Sequence, residues 1–443
     1  MQFNLLQEQR FRPFFVVQLL GAFNDNVFKT ALITLLVFGS LGASKIDYTF
    51  MASALPALFI LPFLLFSATA GQLADKFEKS MLMRRIKLFE IAIMLFAALG
   101  FYLYDLTLLT TALFFMGVHS SLFGPVKYAY LPQHLAHNEL IGGNALVESA
   151  TFLAILLGQI LGAALALQTQ PALLVSAVTI GIALAGYWAS LSLPNSPAGA
   201  SELRIDWHPI RATWHNLLWA KQNKKIGLAL LAISWFWFYG ATLLAQFPAF
   251  AKDSLNGDQT VFILLLSLFS CGIGLGSLLC ETLSRRKIEL GLVLWGAVGL
   301  GLFGIDLYFA SRGIINQVEV LNAYPLNYLQ CLQDPASARV LLDIALLGVF
   351  GGFYIVPLYA YVQSTVAQSH QARVMASNNI LNALFMVASG VLSIALLKLG
   401  LSIESLFLVT AIMNSALLIA LCLYQPAFFH AGRRWIASLF SGK

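Results

Sequence analysis

Charged residues are scarce in this sequence of 443 residues, since Asp, Glu, Lys and Arg together make up 10% of it. An ordinary soluble domain is about one quarter charged. Apolar residues make up 59%, and the mean hydropathy is +0.79. These values exclude a soluble globular enzyme and an intrinsically disordered scaffold. The net charge of +6 comes without a basic patch on a polar domain, so no nucleic acid is expected as a partner.

Cysteine and histidine are scarce as well. The four cysteines lie far apart without a CxxC pair, and the seven histidines do not cluster. This pattern predicts no disulfide framework and no metal site, and no cofactor is expected. The N-terminus also lacks a short apolar region followed by a small-residue cleavage site. We therefore expect the first apolar block to stay in the protein as a signal-anchor helix.

Long apolar runs, by contrast, recur along the whole chain. A transmembrane helix needs about 20 mostly apolar residues, and windows of that kind are spread from end to end. They are 13–38, 49–72, 86–104, 107–132, 141–167, 171–192, 226–250, 259–282, 289–310, 338–362, 374–398 and 403–424. The pattern predicts an all-α integral membrane protein with twelve transmembrane helices.

The distribution of Lys and Arg predicts how these helices are oriented. Short cytoplasmic loops retain basic residues, and most of the basic residues fall on the side that carries both termini. The opposite side carries Lys45, Lys252, Arg312, Arg339 and Lys398. Both termini are therefore expected in the cytoplasm. On the outer side, the stretch from Arg312 to Arg339 is long enough for a short plug or lid.

A polar stretch divides the twelve windows into two groups of six. The predicted organisation is an N-terminal six-helix bundle over 1–192, a cytoplasmic linker over 193–225, and a C-terminal six-helix bundle with a cytoplasmic tail over 226–443. Within the linker, Trp207 and Trp214 recur at helical spacing beside Arg211. This pattern fits an amphipathic helix lying on the lipids of an anionic leaflet, and it fits a solvated linker helix equally well.

The two groups of helices carry a weak internal repeat. Pro125–Tyr130 ends the fourth window and Pro357–Tyr361 ends the tenth, and both stretches contain Tyr-Ala-Tyr. The helices that follow open with equally spaced polar residues, which are Asn144 and Glu148 in the first half and Asn378 and Asn382 in the second. Many transporters are built from two related halves, so the repeat predicts two pseudo-symmetric bundles.

The loop after the second window reads GQLADKFEK from Gly71 to Lys79. It resembles the signature loop of the major facilitator superfamily. Gly71 permits close approach of two helices, and Asp75, next to Lys76, can cap a helix end or pair with basic residues as the halves rock. The resemblance implies a gating role for these residues. In the second half, the corresponding stretch carries Cys280 in place of the acid.

A closer resemblance involves both halves of the chain. The matching stretches are GAFNDNVFK from Gly21, GPVKY from Gly124, NALVE from Asn144, GGFYIVPLY from Gly351 and RVMASNNILN from Arg373. They resemble the LplT-type lysophospholipid transporters of the major facilitator superfamily, in the branch often fused to an acyltransferase and an acyl-carrier-protein synthetase. The resemblance implies inward movement of lysophospholipids across the bacterial inner membrane for re-acylation. It also implies a cytoplasmic acyltransferase or acyl-carrier-protein synthetase as a partner.

Ionisable residues inside the windows are candidates for the transport site, because a charged side chain at mid-bilayer costs about 2.5 to 3.5 kcal/mol. Asp25 and Lys29 lie four residues apart on one helix face, so one interpretation is that they neutralise each other. In the other, Asp25 faces the cavity, with Asn24 and Asn26 on neighbouring faces of the helix, and meets Lys127 or a cationic headgroup. Lys127 could itself meet phosphate as a point charge, or it could extend to the interface.

The remaining candidates are polar and aromatic. Glu148 shares a helix face with Asn144, and we expect these residues to close a gate with Lys127, whereas Asn378 and Asn382 provide amides for the same network or for interhelical bonds. The resemblance implies an arginine in the seventh helix as a headgroup contact, and this chain offers Gln246 there instead. Aromatic candidates for contact with the acyl chain are Trp235, Tyr239 and Tyr354, although packing also explains many membrane aromatics. His119 is a candidate for proton transfer.

Three functions follow from these patterns. The leading prediction is a flippase that moves lysophosphatidylethanolamine inward by alternating access. The alternative within transport is a proton-coupled antiporter of amphipathic drugs, since a cavity with a few ions and apolar walls suits either substrate. A membrane-embedded acyltransferase would be expected to carry His and Asp five residues apart, and none of the histidines does so, although His134 is followed at that spacing by Glu139.

Overall fold

A computed structural model describes residues 2–38, 48–321 and 325–440 of the chain. Within these ranges the backbone is helical, and the only strand-like pairing is an isolated bridge between Gly257 and Leu326. Of the basic residues predicted on the outer side, Lys45 lies outside the described residues. The all-α architecture predicted from the apolar windows is confirmed.

Helices α1 to α15 are numbered in chain order. They are Arg12–Phe38, Tyr48–Lys76, Lys79–Leu103, Leu106–His134, Leu140–Ala166, Pro171–Leu191, Pro209–Gln222, Lys224–Ala249, Gln259–Leu283, Leu290–Leu321, Tyr328–Gln333, Pro335–Thr365, Gln371–Lys398, Ile403–Tyr424 and Pro426–Phe440. A short 3-10 turn covers Gln2–Gln7, another covers Gln368–His370, and a π-helical turn at Phe250–Ser254 extends α8. The predicted amphipathic linker helix corresponds to α7, and its role on a membrane surface stays a prediction.

Eleven helices in the described part of the chain are long and apolar enough to cross a membrane. They identify a multi-pass membrane protein. Helix α1 is not among them, although its 27 residues span about 40 Å. Its polar residues, above all Asp25 and Lys29, lower its hydropathy. A twelfth crossing by α1, the cytoplasmic position of both termini and an outer plug after Arg312 therefore stay predictions.

The packing of the helices divides the chain into two compact units. Unit 1 consists of Met1–Gly143, Ala154–Leu231 and Val362–Leu384, and unit 2 consists of Asn144–Leu153, Ala232–Tyr361 and Phe385–Lys443. Helices α5, α8, α12 and α13 contribute residues to both units. The sequence, by contrast, predicts two bundles that are each continuous in the chain and are separated by the linker at 193–225. That division stays a prediction.

Unit 1 has an apolar core made by α1, α3, α4 and α6. Phe28 of α1 is fully buried, and its ring meets Phe101 of α3 edge to face with the centroids 6.0 Å apart. Gly158 of α5 lets the backbones come close, since an added Cβ would lie 2.8 Å from the carbonyl oxygen of Phe23. Gly162 repeats this contact one turn later against Val27. Small residues four apart are a common means of bringing membrane helices together.

In unit 2, small residues likewise let α9 and α12 come close. Gly272 and Gly276 of α9 face Gly348 and Gly352 of α12, and an added Cβ at any of the four would collide with backbone atoms of the other helix. A methyl group at Gly276, for example, would overlap the carbonyl oxygen of Val349. The two helices therefore pack backbone to backbone.

The start of α3 is fixed by Glu78, which caps the helix. Its carboxylate accepts hydrogen bonds from the backbone N–H groups of Ser80 at 2.9 Å and Met81, and from the N–H of Ser196 at 2.7 Å. Burial alone would raise the pKa of Glu78, but these hydrogen bonds outweigh burial and hold the pKa below its ordinary value of 4.5. The polar segment after α6 is thereby tied to the loop between α2 and α3.

Replacing Gly276 by alanine should destabilise unit 2. Overpacking of this kind typically costs about 1 to 3 kcal/mol, and here the obstructing atom is backbone, which cannot rotate away. We expect a lower melting temperature of the detergent-solubilised protein for Gly276→Ala. The matched control is Gly390→Ala in α13, where an added Cβ meets nothing within 4 Å and the gain in helix propensity applies. Equal melting temperatures for the two variants would contradict this account of the packing.

The lowered pKa of Glu78 predicts a pH dependence of stability. Because the folded-state pKa lies below the ordinary value, the stabilisation is present above pH 4.5 and is lost as the pH falls through the folded-state pKa. Glu78→Ala should therefore lower the melting temperature at neutral pH and flatten its decrease in acid. Glu202→Ala, at an exposed position, serves as the control, and an unchanged acid profile in Glu78→Ala would refute the assignment.

Candidate functional site

A polar cluster is buried in unit 1 where α1, α3 and α4 meet. At its centre is the carboxylate of Glu90, which accepts a hydrogen bond from Asn24 Nδ2 at 2.7 Å and one from the Lys87 ammonium at 2.6 Å. His119 Nε2 lies 3.4 Å from the same carboxylate. All four side chains are at most 2% exposed. We call these residues, together with Asp25 and Ser120, the unit 1 polar cluster.

Asp25 lies next to this centre. Its Oδ2 accepts a hydrogen bond from Ser120 Oγ at 2.6 Å, and its Oδ1 has no hydrogen-bond partner among the described residues. The Lys29 ammonium lies over the ring of Phe59, 5.4 Å from the centroid. The hydroxyl of Ser120, and not the ammonium of Lys29, is therefore the direct partner of Asp25.

Local sequence explains how this cluster is held. Asn24 and Asp25 are consecutive on α1, so their side chains leave the helix about 100° apart and reach α3 and α4 respectively. Lys87 and Glu90 are three residues apart and lie on one face of α3. Two glycines make room for the lysine, because an added Cβ would lie 2.9 Å from its ammonium at Gly21 and 3.4 Å from it at Gly186.

Sequence reasoning did not identify Glu90, which is the partner of His119, or the buried position of Lys87. The available signal was an acid inside the apolar window 86–104, three residues after a lysine. Lys87 reads as the last basic residue of a cytoplasmic loop, but the structure buries it within α3. A lone acid in a membrane helix is costly, and Lys87, Asn24 and His119 supply the compensation.

The other candidates on α1 and α4 have local surroundings of their own. Asn26 is buried and donates a hydrogen bond to the carbonyl oxygen of Ala22 in its own helix at 2.8 Å. Lys127 is 9% exposed, and its ammonium lies 4.9 Å from the ring centroid of Tyr128. Gly124 lies against the amide of Asn379 on α13, so the glycine next to Pro125 lets these two helices approach.

The signature loop is tied to the start of α13. Asp75 Oδ1 accepts the backbone N–H of Ala372 at 2.9 Å, and Asp75 Oδ2 accepts Arg373 Nε at 2.9 Å. One fully buried carboxylate thus caps a helix and forms an ion pair with its first turn. Gly71 permits this approach, since an added Cβ would lie 2.6 Å from the Cβ of Ala376. Lys76 ends α2, and its ammonium lies 6.0 Å from the ring centroid of Phe77.

The remaining gate candidates are buried in both units. Asn144 and Glu148 are 0% exposed and belong to unit 2, while Asn378 and Asn382 belong to unit 1 and are 0% and 7% exposed. A network that includes Lys127 stays a prediction. These burial values fit polar groups that are engaged inside a helix bundle.

The aromatic candidates of α8 are anchored inside unit 2. Trp235 Nε1 donates to Asn414 Oδ1 at 3.0 Å, and the Tyr239 hydroxyl donates to the carbonyl oxygen of Leu300 at 2.9 Å. Asn414 in turn donates to Ala297 at 2.8 Å, which joins α8, α10 and α14. These polar atoms thus form hydrogen bonds inside unit 2, so only the apolar parts of the two rings are left for other contacts.

A second group of rings adjoins them. Phe236 stacks on Tyr354 of α12 at 6.4 Å between centroids, and Trp237 stacks on Phe152 of α5 at 6.2 Å. The Trp237 indole N–H donates to the Tyr359 hydroxyl at 3.3 Å. Gln246 lies further along α8 and is partly buried. Phe152 and Tyr359 were not among the sequence candidates, because their contribution depends on tertiary contacts with α8.

Comparison with known proteins places these features in a family. A family model described as Major Facilitator Superfamily matches residues 14–318. The lysophospholipid transporter LplT of Klebsiella pneumoniae is 28% identical over 355 residues, covering 78% of each chain. LplT of Escherichia fergusonii is 28% identical over 402 residues, covering 86% of this chain and 87% of that protein.

Solved structures agree on the fold. The human organic anion transporter MFSD10 (TETRAN) superposes with a TM-score of 0.67 at 15% identity, over 92% of this chain and 98% of that one. The Major Facilitator Superfamily transporter FucP in its outward conformation gives 0.65 at 12% identity, over 93% and 98%. At such low identity these likenesses establish the fold alone.

The ion pair at the centre of the unit 1 polar cluster predicts an asymmetry between single and double variants. Removing one partner of a buried pair costs about 3 to 5 kcal/mol, because the other charge stays uncompensated. Glu90→Gln and Lys87→Met should each lower the melting temperature strongly, and the double variant should be more stable than either. Thermal unfolding of the purified protein measures this. A double variant whose loss equals the sum of the single losses would show that the two charges are independent.

Proposed function

Because this chain belongs to the Major Facilitator Superfamily, we propose that it transports lysophospholipids. The substrate class comes from the LplT relatives, which match most of the chain. In this proposal, lysophosphatidylethanolamine moves inward across the bacterial inner membrane by alternating access. A separate cytoplasmic acyltransferase or acyl-carrier-protein synthetase then restores the second acyl chain, and the transporter itself catalyses no reaction.

The observation that carries the proposal is the buried carboxylate of Asp25. A lysophospholipid keeps its tail in hydrocarbon, but its zwitterionic head needs a polar site inside the protein. Asp25 has one oxygen bound to Ser120 and one oxygen without a partner among the described residues. An ammonium group is the complementary ligand, since it donates hydrogen bonds and compensates the charge. Ethanolamine carries such a group.

Lys127 provides the matching charge for phosphate. It lies seven residues after Ser120 on α4, so both residues occupy one face of that helix, two turns apart. Two turns correspond to about 11 Å, and the long lysine side chain shortens that distance for its ammonium. We therefore assign the ammonium of the substrate to Asp25 and its phosphate to Lys127. Asn24, Asn26 and Lys29 support this site from α1.

The acyl chain and the gate complete the proposal. Trp235, Tyr239 and Tyr354 are proposed to contact the acyl chain through the apolar parts of their rings, since the polar atoms of Trp235 and Tyr239 already form hydrogen bonds within unit 2. Gln246 is proposed as a polar contact for the head. The cap that Asp75 forms on α13 is proposed to control gating together with its neighbours in the chain and the buried polar residues of α5 and α13. These residues are Gly71, Lys76, Asn144, Glu148, Asn378 and Asn382.

A conservative substitution tests the headgroup site. Asp25→Asn keeps an oxygen that can accept from Ser120 but removes the charge, so uptake of labelled lysophosphatidylethanolamine into vesicles should fall at least about tenfold, as expected for loss of one charge-assisted hydrogen bond. Lys127→Ala should also abolish uptake. The matched control is Asp105→Asn, because Asp105 caps α4 and asparagine caps equally well.

Each outcome of this experiment is decisive. Uptake that needs the chain and is lost in Asp25→Asn, with the control intact and all variants inserted in the membrane, supports the proposal. Normal uptake in Asp25→Asn and Lys127→Ala would remove the site assignment. If the inserted wild-type chain takes up no lysophospholipid, the substrate class itself is wrong, and amphipathic drugs become the substrates to test.

A further inference from the structure

Helix α7 lies against the membrane-spanning part of unit 1. Ala212 of α7 forms a small apolar cluster with Ala68 of α2 and Ile380 of α13. Leu217, further along α7, packs against the same cluster. Ala68 lies eight residues before the end of its apolar segment at Lys76, which places it about 12 Å inside that end. The contact therefore holds α7 alongside the spanning length of α2 and not beyond its end.

The entry into α7 is fixed by hydrogen bonds to α2. The backbone N–H of Asp206 donates to Gln72 Oε1 at 2.7 Å, and Gln72 Nε2 donates to the carbonyl oxygen of Asp206 at 3.4 Å. The carboxylate of Asp206 accepts from Arg211, in the first turn of α7, at 2.6 and 2.8 Å. Because Gln72 lies one turn closer to the end of α2 than Ala68, the chain moves deeper along α2 as α7 begins.

The exposed side of α7 is apolar, and polar atoms are buried on the other side. Trp207, just before the helix, and Ile210 and Trp214 within it are 69%, 74% and 62% exposed. By contrast, Thr213 Oγ1 and Asn216 Nδ2 are buried without a hydrogen-bond partner among the described residues. A helix on the surface of a soluble protein turns its charged and polar residues to water and its apolar face to the core. Helix α7 is reversed, as expected where the outer face meets lipid.

Positive charge flanks this exposed face. The stretch 203–225 contains five basic residues and a single acid, Asp206, which is paired with Arg211. Three of the basic residues lie just outside α7 and are exposed. They are Arg204, Lys224 and Lys225. Basic residues beside an apolar helix face attract the headgroups of anionic lipids.

We propose that α7 docks onto the anionic lipids of the cytoplasmic leaflet, with its exposed apolar face among the acyl chains and the flanking basic residues at the lipid phosphates. Helices of this kind lie about 5 to 10 Å into the boundary between headgroups and acyl chains, which is comparable with the depth of Ala68. The end of α2 at Lys76 is the one predicted to face the cytoplasm, where anionic lipids are enriched. A solvated linker helix, the other interpretation of the sequence, does not explain the exposed tryptophans.

The geometry favours lipid over a soluble protein as the occupant of this face. Ile210 and Trp214 lie roughly half a helical turn away from Ala212, so they point away from α2 and α13. At that level α2 and α13 are within segments apolar enough to span a membrane. Lipid therefore surrounds α7 on its outer side, and a soluble protein would have to displace that lipid to reach the tryptophans.

The first test measures the depth of α7 in vesicles of phosphatidylcholine and phosphatidylglycerol that contain the purified full chain. The native cysteines are replaced by alanine, and Trp214→Cys carries a nitroxide spin label. The label should be accessible to oxygen, which concentrates in lipid, and protected from a water-soluble nickel complex. Leu95→Cys, on the exposed apolar side of α3, provides the reference for lipid. Glu202→Cys, at an exposed position of the linker, provides the reference for water.

The second test identifies the lipid and keeps the native cysteines. Tryptophan fluorescence is quenched by brominated lipid, with the bromine on phosphatidylglycerol in one set of vesicles and on phosphatidylcholine in the other. The contribution of α7 is the difference between wild type and the double variant Trp207→Phe, Trp214→Phe. Quenching should report about a fivefold enrichment of phosphatidylglycerol beside α7, the factor expected for one basic residue near an anionic surface.

Charge variants test the basic residues in the same assay. The triple variant Arg204→Gln, Lys224→Gln, Lys225→Gln should remove the preference for phosphatidylglycerol, because the acyl-chain contacts of the tryptophans do not distinguish the two lipids. The control is Arg433→Gln, Arg434→Gln in α15, where two exposed arginines are removed from another helix. This control should keep the preference of the wild type.

The outcomes decide the proposal independently of the transported substrate. A label at position 214 that is as accessible to the nickel complex as the label at position 202 overturns the docking. Protection from both oxygen and nickel would mean that protein covers this face, which also overturns it. Quenching without a preference for phosphatidylglycerol, or a preference that survives the triple variant, overturns the role of anionic lipids. None of these measurements requires uptake of lysophospholipid, so failure of the proposed function leaves them unaffected.

Discussion

Compensation of buried charge is the constraint on which the internal organisation of this protein depends. An uncompensated ion inside a membrane costs several kcal/mol, and each unit contains ionisable groups at such depths. Glu90 is matched by Lys87, Asn24 and His119, all of which point at one carboxylate. In unit 2 the same requirement is met by Arg339, which pairs with Asp306. Polar residues that are incompletely matched are therefore the places where a ligand can bind.

Close helix packing makes this compensation possible. A lysine ammonium fits inside unit 1 because glycines stand next to it on α1 and α6, and α9 meets α12 backbone to backbone through four glycines. Since lipid tails are as apolar as leucine, apolar burial contributes little to association of helices in a membrane, and close contacts and interhelical hydrogen bonds contribute more. The hydrogen bonds that tie Asp75 to α13 and Trp235 to Asn414 belong to the second kind.

Much of the helical architecture could be predicted from apolar windows, but the polar details depend on tertiary contacts. The window that begins at residue 86 corresponds to α3, which begins at Lys79, because the cap formed by Glu78 extends the helix through basic residues that hydropathy excludes. Asp25 stands out in sequence as an acid in an apolar run. Its partner Ser120 does not, since the two residues meet only when α1 packs on α4.

The acids of α10 and α12 illustrate the same limit. Asp306 and Asp343 are lone acids in separate helices. From the sequence alone, Arg339 is a charged residue at the outer end of a span. Only the packing of α10 against α12 brings Arg339 to Asp306. Resemblance to a family likewise identifies Asp75, but not Arg373 as its partner, because a signature loop does not specify which helix end it caps.

The central claim, that Asp25 receives the ammonium of the substrate head, is tested most directly by binding to the purified chain. Lysophosphatidylethanolamine carries an ammonium group, whereas lysophosphatidylglycerol carries the same phosphate and tail without one. Titration of wild type and Asp25→Asn with both lipids should show weaker binding of the ethanolamine lipid in the variant and unchanged or tighter binding of the glycerol lipid. Equal weakening for both lipids, or no weakening for either, would contradict the account.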